Sequence, residues 1–419
     1  MQLIKSRFAP SPTGKMHIGS VRAALLPYMF VRKNNGKFLF RIDDTDIERS
    51  KDVYKEDLLY NMKWLNISFD ETFAQSSRKS IYDEIFNLLR TNKYVYECFE
   101  SKDEINDIRE IKRLKKQAPI FTEKDRSVFS GESYWRFALR DGKYNSHDLI
   151  LGDIEFGRDW SDPIILKSDG SYSYIFASVV DDILCEITHV IRGSEHITNA
   201  AIQQFLGDCI CNLLYKTSWK IQFAHYPLFL NSDGTKMSKR NLDSSLEHLH
   251  YLEPLTFWSI MSSLGTSQNQ IYSKRYEDYI EYFDLSKCSK AIQKFSFNTL
   301  EKTNLKIIRS YDDQDIINMY NYPIDMWNLF KNNIVSFEDL DIYIKKFIHF
   351  LKSNSKLKTT LKNLSLENLK EEIKLLASKE NKEYKEYILD IYKEIFQMPM
   401  GPQIEDLVIY LKNNSQNLI

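Results

Sequence analysis

The sequence contains no apolar run approaching the roughly 18 residues that a helix needs to cross a bilayer. Its best candidate, residues 174–191, is broken by Asp181, Asp182 and Glu186, so a helical span is excluded and no membrane partner is expected. Behind Met1-Gln2-Leu3-Ile4-Lys5-Ser6-Arg7 there is no apolar stretch of the kind a signal peptide needs, and a cytoplasmic location is the expectation. Cysteine is scarce, and Cys98, Cys185, Cys209, Cys211 and Cys288 form an odd, scattered set that excludes a disulfide framework and implies reduced thiols. Net charge is almost absent: 57 Lys and Arg stand against 58 Asp and Glu, so any nucleic-acid partner must be held by local basic patches rather than a global field. Neither an internal repeat nor a long linker is present. What remains, 43% hydrophobic and 27% charged residues, is the composition of a folded chain. A length of 419 residues allows two to four domains, at roughly 100 to 200 residues each.

Residues 3–8 read as a strand, 9–18 as a loop punctuated by Pro and Gly, and 20–32 as a helix with Val21, Ala24, Leu25 and Met29 on one face. A second strand over 37–42 ends at Asp43-Asp44-Thr45-Asp46, and a helix over 52–65 follows. Strand, loop, helix, strand is how an α/β fold with a doubly wound parallel sheet begins. Residues 81–165 differ in character, with a charged helix beside short strands such as 134–139, and read as an insertion. Sheet-type signals return over 174–191, 200–214 and 222–230. Beyond about residue 241 the pattern is helical, most clearly over 367–376 and 383–396.

Two segments carry chemistry. Phe8-Ala9-Pro10-Ser11-Pro12-Thr13-Gly14-Lys15-Met16-His17-Ile18-Gly19-Ser20 lies between a strand and a helix. There Gly14 and Gly19 let backbone approach a nucleotide, the helix start offers N–H groups to phosphate, and His17 can donate to phosphate oxygens. The plainer alternative is an ordinary Pro-Gly loop with one histidine. Far downstream, Asp233-Gly234-Thr235-Lys236-Met237-Ser238-Lys239-Arg240 sets three cations around a hydroxyl on a loop opened by Asp-Gly, which suits a clamp on a triphosphate. A solvated basic turn is the bland reading. The basic run Arg109, Lys112, Arg113, Lys115 and Lys116 is open between phosphate binding and an exposed helix.

Together the two segments resemble the HIGH and KMSKS elements of class I aminoacyl-tRNA synthetases, written here His17-Ile18-Gly19-Ser20 and Lys236-Met237-Ser238-Lys239-Arg240, with Ser20 in place of the last His. Arg7-Phe8-Ala9-Pro10-Ser11-Pro12-Thr13-Gly14, Arg41-Ile42-Asp43-Asp44-Thr45-Asp46, Val179-Val180-Asp181-Asp182 and Ile187-Thr188-His189-Val190-Ile191-Arg192-Gly193 narrow the resemblance to bacterial-type glutamyl-tRNA synthetases. It runs from residue 3 to about 300, then rests on helical character and on Met400-Gly401-Pro402. The resemblance implies a Rossmann-type catalytic sheet in two halves, 1–80 and 171–231, around an acceptor-end-binding insertion, 81–170. It further implies a KMSKS and stem-contact region, 232–305, and an all-α anticodon-binding region, 306–419.

The implied reaction joins L-glutamate to the 3′ end of tRNA(Glu) through an adenylate, using ATP with Mg²⁺. Charging of tRNA(Gln) is left open, and a monomer is expected. His17, Lys236 and Lys239 are the implied catalytic groups; Pro10, Thr13, Gly14, Gly19, Ser20 and Ser238 join them around ATP. A side-chain carboxylate calls for a guanidinium fork, and Arg7 and Arg192 at strand ends are the candidates. Similarity adds Ala9, Ser11, Asp43, Tyr174, Ser178 and Glu195 around glutamate, although the family commonly has Glu at position 43 and often Asn at 178. No protein metal ligand is expected: Mg²⁺ arrives with its nucleotide, and Cys98 with Glu100 is too little for the zinc site of some relatives. The alternatives are a glutaminyl-tRNA synthetase, which has a β-rich anticodon module, a shortened relative that glutamylates a modified tRNA base, an inactive RNA-binding paralogue, and a small-molecule nucleotidyltransferase.

Overall fold

The computed structural model of the chain describes residues 2–46, 48–127, 132–231, 245–320 and 323–414. These form two compact units, the first of residues 1–249, 257–271 and 275–296, the second of 250–256, 272–274 and 297–419.

In the first unit, β1 (Lys5–Phe8), α1 (Ile18–Lys33), β2 (Lys37–Ile42), α2 (Asp52–Trp64), β3 (Glu71–Ala74) and α3 (Lys79–Thr91) alternate. β2 buries Phe38, Leu39, Phe40 and Ile42, apolar toward both faces as a central parallel strand must be. It pairs in parallel with β1 on one side and β3 on the other. α3 buries Tyr82, Ile85, Phe86 and Leu89 at helical spacing, with the Tyr82 ring against Phe176 and the Phe86 ring against Trp135. α1 begins at Ile18, two residues before the expected start, because His17 rather than Gly19 is its N-cap.

Next come β4 (Val95–Cys98), α4 (Lys102–Leu114), β5 (Tyr134–Phe137), β6 (Tyr144–Asp148), β7 (Gly152–Phe156) and β8 (Ile164–Leu166). β4, β5 and β8 form a separate antiparallel sheet over a small core of Tyr96, Cys98, Ile105, Phe121 and Tyr134. α4 is fixed at its start by a Ser101–Glu104 capping box. Much of its basic face is committed internally: Arg109 donates to Ser161, Lys112 to Asp125 and Ile120, and Arg113 to Glu110. Burial pushes the Cys98 thiol up to about 12, against the pull of Arg136.

α5 (Tyr174–Leu184), β9 (His189–Gly193), α6 (Ile197–Tyr215) and β10 (Gln222–Tyr226) complete the main sheet, followed by β11 (Phe229–Asn231), α7 (Pro254–Ser263), α8 (Tyr276–Tyr282) and β12 (Gln293–Phe295), which pairs in parallel with β11. The strand expected over 222–230 divides in two because Pro227 has no N–H to give a ladder. β10 lies parallel between β9 and β6, and the β6–β7 hairpin, from the stretch read as an insertion, extends the sheet. The start of β9 is bonded to β1 through one residue, Thr188. Thr188 N–H donates to the Lys5 carbonyl at 2.9 Å, while its hydroxyl accepts the Lys5 N–H at 2.9 Å and donates to the same carbonyl at 3.1 Å. The strand sequence is therefore β3-β2-β1-β9-β10-β6-β7, and chain order reverses between β1 and β9.

The second unit is helical throughout its described elements: α9 (Phe297–Ile308), α10 (Asp313–Tyr320), α11 (Ile324–Phe330), α12 (Phe337–Lys352), α13 (Lys356–Asn363), α14 (Leu369–Lys379), α15 (Tyr384–Phe396) and α16 (Ile404–Asn413). Its core is aromatic, with Phe330 against Tyr343 and Phe396, and Phe347 against Tyr410. A Cβ on Gly401 would come within 2.8 Å of the Phe396 ring, which explains glycine in the Met400-Gly401-Pro402 turn.

Thr188→Val keeps the shape of the side chain but strands the buried Lys5 N–H. A loss of about 1–3 kcal/mol is expected in urea unfolding.

Candidate active site

The cleft lies where the parallel strands end and their order reverses, the usual ligand position in a doubly wound sheet. Its volume is about 950 Å³. Arg7 reaches it from the end of β1, Asp43 from just after β2, and Arg192 from β9. Of the residues singled out in the sequence, Arg7, Ala9, Pro10, Ser11, Thr13, Gly14, His17, Gly19, Ser20, Asp43, Tyr174, Arg192 and Glu195 all line this one cleft. Ser178 does not. Its hydroxyl faces inward, accepting from Gln203 Nε2 at 2.8 Å and donating to the Ile175 carbonyl. Lys236, Ser238 and Lys239 fall in 232–244, outside the described residues. The chain on either side of that segment reaches the cleft: Leu228 and Phe229 line it, and Ser245 bridges His17.

The loop between β1 and α1 is pinned along its length. The Pro10 carbonyl accepts Asp43 N–H at 3.0 Å, the Pro12 carbonyl accepts Lys51 N–H at 3.2 Å, and Met16 N–H donates to Asp57 at 2.7 Å. His17 caps α1, its Nδ1 accepting from Ser20 N–H at 3.3 Å, which places the proton of the neutral ring on Nε2. Gly19 is required by this arrangement, since a Cβ there would stand 2.8 Å from His17 Cε1. α1 has no acidic residue in its first turn, so its N-terminal dipole is left for an anion. Arg7, Lys15, Arg22, Arg49, Lys167 and Arg192 face the cleft against Asp43, Asp46 and Glu195, a balance that suits an anionic ligand.

Beneath the loop lies a buried ion network. Arg41 forks Asp43 at 2.6 and 3.2 Å and reaches Asp182 at 2.7 Å, while Arg7 contacts Asp182 at 3.2 and 3.3 Å. Asp181 accepts from Gln75, Arg78 and the Tyr82 hydroxyl at 2.8, 2.7 and 2.8 Å. Asp44 accepts from Ser76 and pairs with Lys55. The acidic pairs conspicuous in the sequence are thus engaged by internal donors. Burial pushes the Asp43 carboxyl up to about 6 in spite of Arg41. Burial acts to raise Asp182 as well, but Arg7 and Arg41 together hold it below the usual carboxylate range.

Arg192 is 6% exposed, and burial lowers its affinity for a proton. Its Nη1 makes no hydrogen bond among the described residues. Arg22 was missed in the sequence. It is sandwiched between the Tyr226 and Phe229 rings at 4.6 and 4.1 Å, bonded to the Pro227 carbonyl, and lowered by burial to about 10. The available signal was a cation between Val21 and Ala24 on a buried helix face.

A doubly wound sheet with a Pro- and Gly-rich loop and several cations lining the cleft at its point of reversal has the form of a nucleotide-binding catalytic domain. Residues 3–302 match the family described as tRNA synthetases class I (E and Q), catalytic domain. The chain is 35% identical over 403 residues to glutamate-tRNA ligase 1 of Rickettsia prowazekii, covering 91% of this chain and 87% of that one. It is 37% identical to glutamate-tRNA ligase 2 of Ehrlichia canis, over 81% of this chain and 79% of the relative. In fold it is similar to the crystal structure of a glutamate tRNA ligase from Elizabethkingia meningosepticum in complex with its amino acid, with a TM-score of 0.74 at 23% identity and all of both chains covered. The chain belongs to the class I tRNA synthetases and, within them, to the glutamate-tRNA ligases.

Gly19→Ala is expected to drive the His17 imidazole off the helix start with little change in thermal midpoint. The His17 ring resonances, compared with a His17→Ala spectrum, report that displacement.

Proposed function

We propose that this cleft activates L-glutamate with ATP and transfers it to the 3′ end of tRNA(Glu). The observation that carries the reading is the buried Arg192 guanidinium with Nη1 left for a ligand. The Nη1 amino group turns positive charge and two N–H donors toward the oxygens of a side-chain carboxylate, whereas the amide nitrogen of glutamine would set donor against donor. Arg7 stands nearby, its Nε and Nη2 held by Asp182. Its part is a second positive charge beside the carboxylate together with support of the network, and Arg192 supplies the Nη1 donor. Tyr174, Ser11 and the Ala9 backbone enclose the amino acid. Asp43, once ionised, or Glu195 at the more exposed edge opposes the ammonium.

In the first step an oxygen of the glutamate α-carboxylate attacks the α-phosphorus of ATP, a P–O bond to that atom breaks, and pyrophosphate leaves with the electron pair. The nucleophile is already an anion, so no general base is required. The loop from Pro10 through Thr13 and Gly14 to Gly19 and Ser20 receives the nucleotide, and His17, Lys236, Ser238 and Lys239 stabilise charge gathering on the phosphates. Mg²⁺, carried in by the triphosphate, shares that charge. In the second step a terminal ribose hydroxyl of tRNA attacks the acyl carbon, the bond from that carbon to the phosphate oxygen breaks, and AMP leaves with the electron pair, its phosphate taking up the hydroxyl proton. The helical second unit favours this reading over the β-rich anticodon module expected of a glutaminyl enzyme.

Lys239→Ala is expected to slow glutamate-dependent pyrophosphate exchange about a hundredfold, the effect of losing one charge-stabilising donor; an unchanged rate would remove the downstream segment from the mechanism. Arg192→Lys should raise the glutamate KM about tenfold or more and leave the ATP KM in place, since the charge is kept and the planar, fixed Nη1 donor is lost. Asp43 is protonated below about 6 and then has no attraction for an ammonium. The kcat/KM for glutamate should therefore fall as pH drops through that value, and Asp43→Asn should be low and flat over the same range.

A further inference from the structure

We infer that His225, held by Asp148, is a positioning residue of the amino-acid pocket: its Nε2 fixes the Arg192 guanidinium so that the unpaired Nη1 meets the substrate carboxylate. The inference rests on the role given to Arg192 above.

β9 and β10 run side by side with His225 opposite Arg192. Arg192 Nε donates to His225 Nε2 at 3.0 Å, so that nitrogen accepts and the ring proton belongs on Nδ1. There it meets Asp148 Oδ2 at 2.6 Å. Asp148 is itself immobilised by the N–H groups of Ile150, Leu151 and His225, at 2.9, 2.8 and 3.0 Å. Both His225 and Asp148 are 1% exposed. Arg192 Nη2 is spent on the His196 carbonyl at 3.3 Å, and the Phe223 ring lies 5.3 Å from its Cζ while stacking on the imidazole. Nε, Nη2 and one face of the guanidinium are thus committed to the protein, and Nη1 is not.

The choice of acceptor carries the functional argument. A carboxylate in place of the imidazole would neutralise Arg192 and compete with the substrate for it. A neutral imidazole orients the guanidinium and leaves its charge intact, much as an outer partner fixes a ligand group without replacing it. The neutral state is maintained by the surroundings: burial lowers the His225 pKa, Asp148 on β6 and Glu195 after β9 act to raise it, Arg192 acts to lower it, and the net direction is down. Protonation would set an N–H against the Arg192 Nε–H. Asp148 comes from the β6–β7 hairpin, so the stretch read as an insertion reaches the amino-acid pocket through this chain of bonds.

The test is tRNA charging by the full-length enzyme, with glutamate and ATP varied separately. His225→Leu removes the acceptor, and His225→Gln restores a carbonyl oxygen near the Nε2 position. Asp148→Asn presents an amide N–H to Nδ1 and forces the other tautomer, a change that disables a histidine without displacing it. His225→Leu and Asp148→Asn should raise the glutamate KM about 10- to 100-fold with the ATP KM little moved, and His225→Gln should recover most of the loss. Should His225→Leu fail to fold, Asp148→Asn against His225→Gln gives the same comparison. Wild-type glutamate KM in His225→Leu and Asp148→Asn, with Arg192→Lys impaired, overturns the positioning role alone. If Arg192→Lys also behaves as wild type, the carboxylate reading of the cleft falls with it. Equal losses in both KM values, unrelieved in His225→Gln, would make the pair purely architectural and overturn the inference.

Discussion

Everything at the cleft depends on Arg41, a guanidinium with no solvent exposure that holds Asp43 and Asp182 at once. Taking charges out of water costs several kcal/mol each unless partners with good geometry replace the lost hydration. Here three cations, Arg7, Arg41 and Arg78, balance three anions, Asp43, Asp181 and Asp182, with Gln75 and Tyr82 filling further acceptor sites. The network joins the ends of β1 and β2 to α5, so the two halves of the sheet are fixed beneath the site by charge. It also changes the meaning of Arg7. A strand-end guanidinium in a linear reading, Arg7 in the fold lines the cleft while its Nε and Nη2 are held by Asp182.

What was legible in the sequence was local in the chain. The loop from Phe8 to Ser20 declares itself because Pro, Gly and His stand together between a strand and a helix, and its residues line one cleft. β2 has the bounds its apolar run implies, Lys37 to Ile42, ended by the acidic cluster. What was not legible is made by distance. Asp182 is 175 positions from Arg7 and Asp148 is 77 from His225, and no periodicity links them. Ser178 is near enough to Tyr174 in sequence to suggest a shared face, yet α5 turns it toward α6, where Gln203 takes its hydroxyl. Arg22 was hidden because a cation stacked between two rings has no partner charge to betray it.

The small antiparallel sheet shows a second way of building a core from charge. Arg136 lies against Phe121 and Tyr134 and donates to the Asp162 carbonyl, while the Asp162 side chain takes Arg158 and the Tyr96 hydroxyl. Cys98 sits in this cluster as a protonated thiol, a small apolar filler. Glu100 is occupied by Ser127. The residues that might have suggested a metal are thus working parts of a packed aromatic and guanidinium cluster.

Thr188 joins two strands that then part. It stitches β1 to β9 at their beginnings, and among the described residues no backbone ladder carries the pairing toward their ends. Had the two strands stayed zipped to Phe8 and Gly193, amide would have met carbonyl across the gap and the floor of the crevice would have been closed. The room for a substrate is therefore a seam left open, stitched at its far end by one threonine and held nearer the site by buried charge.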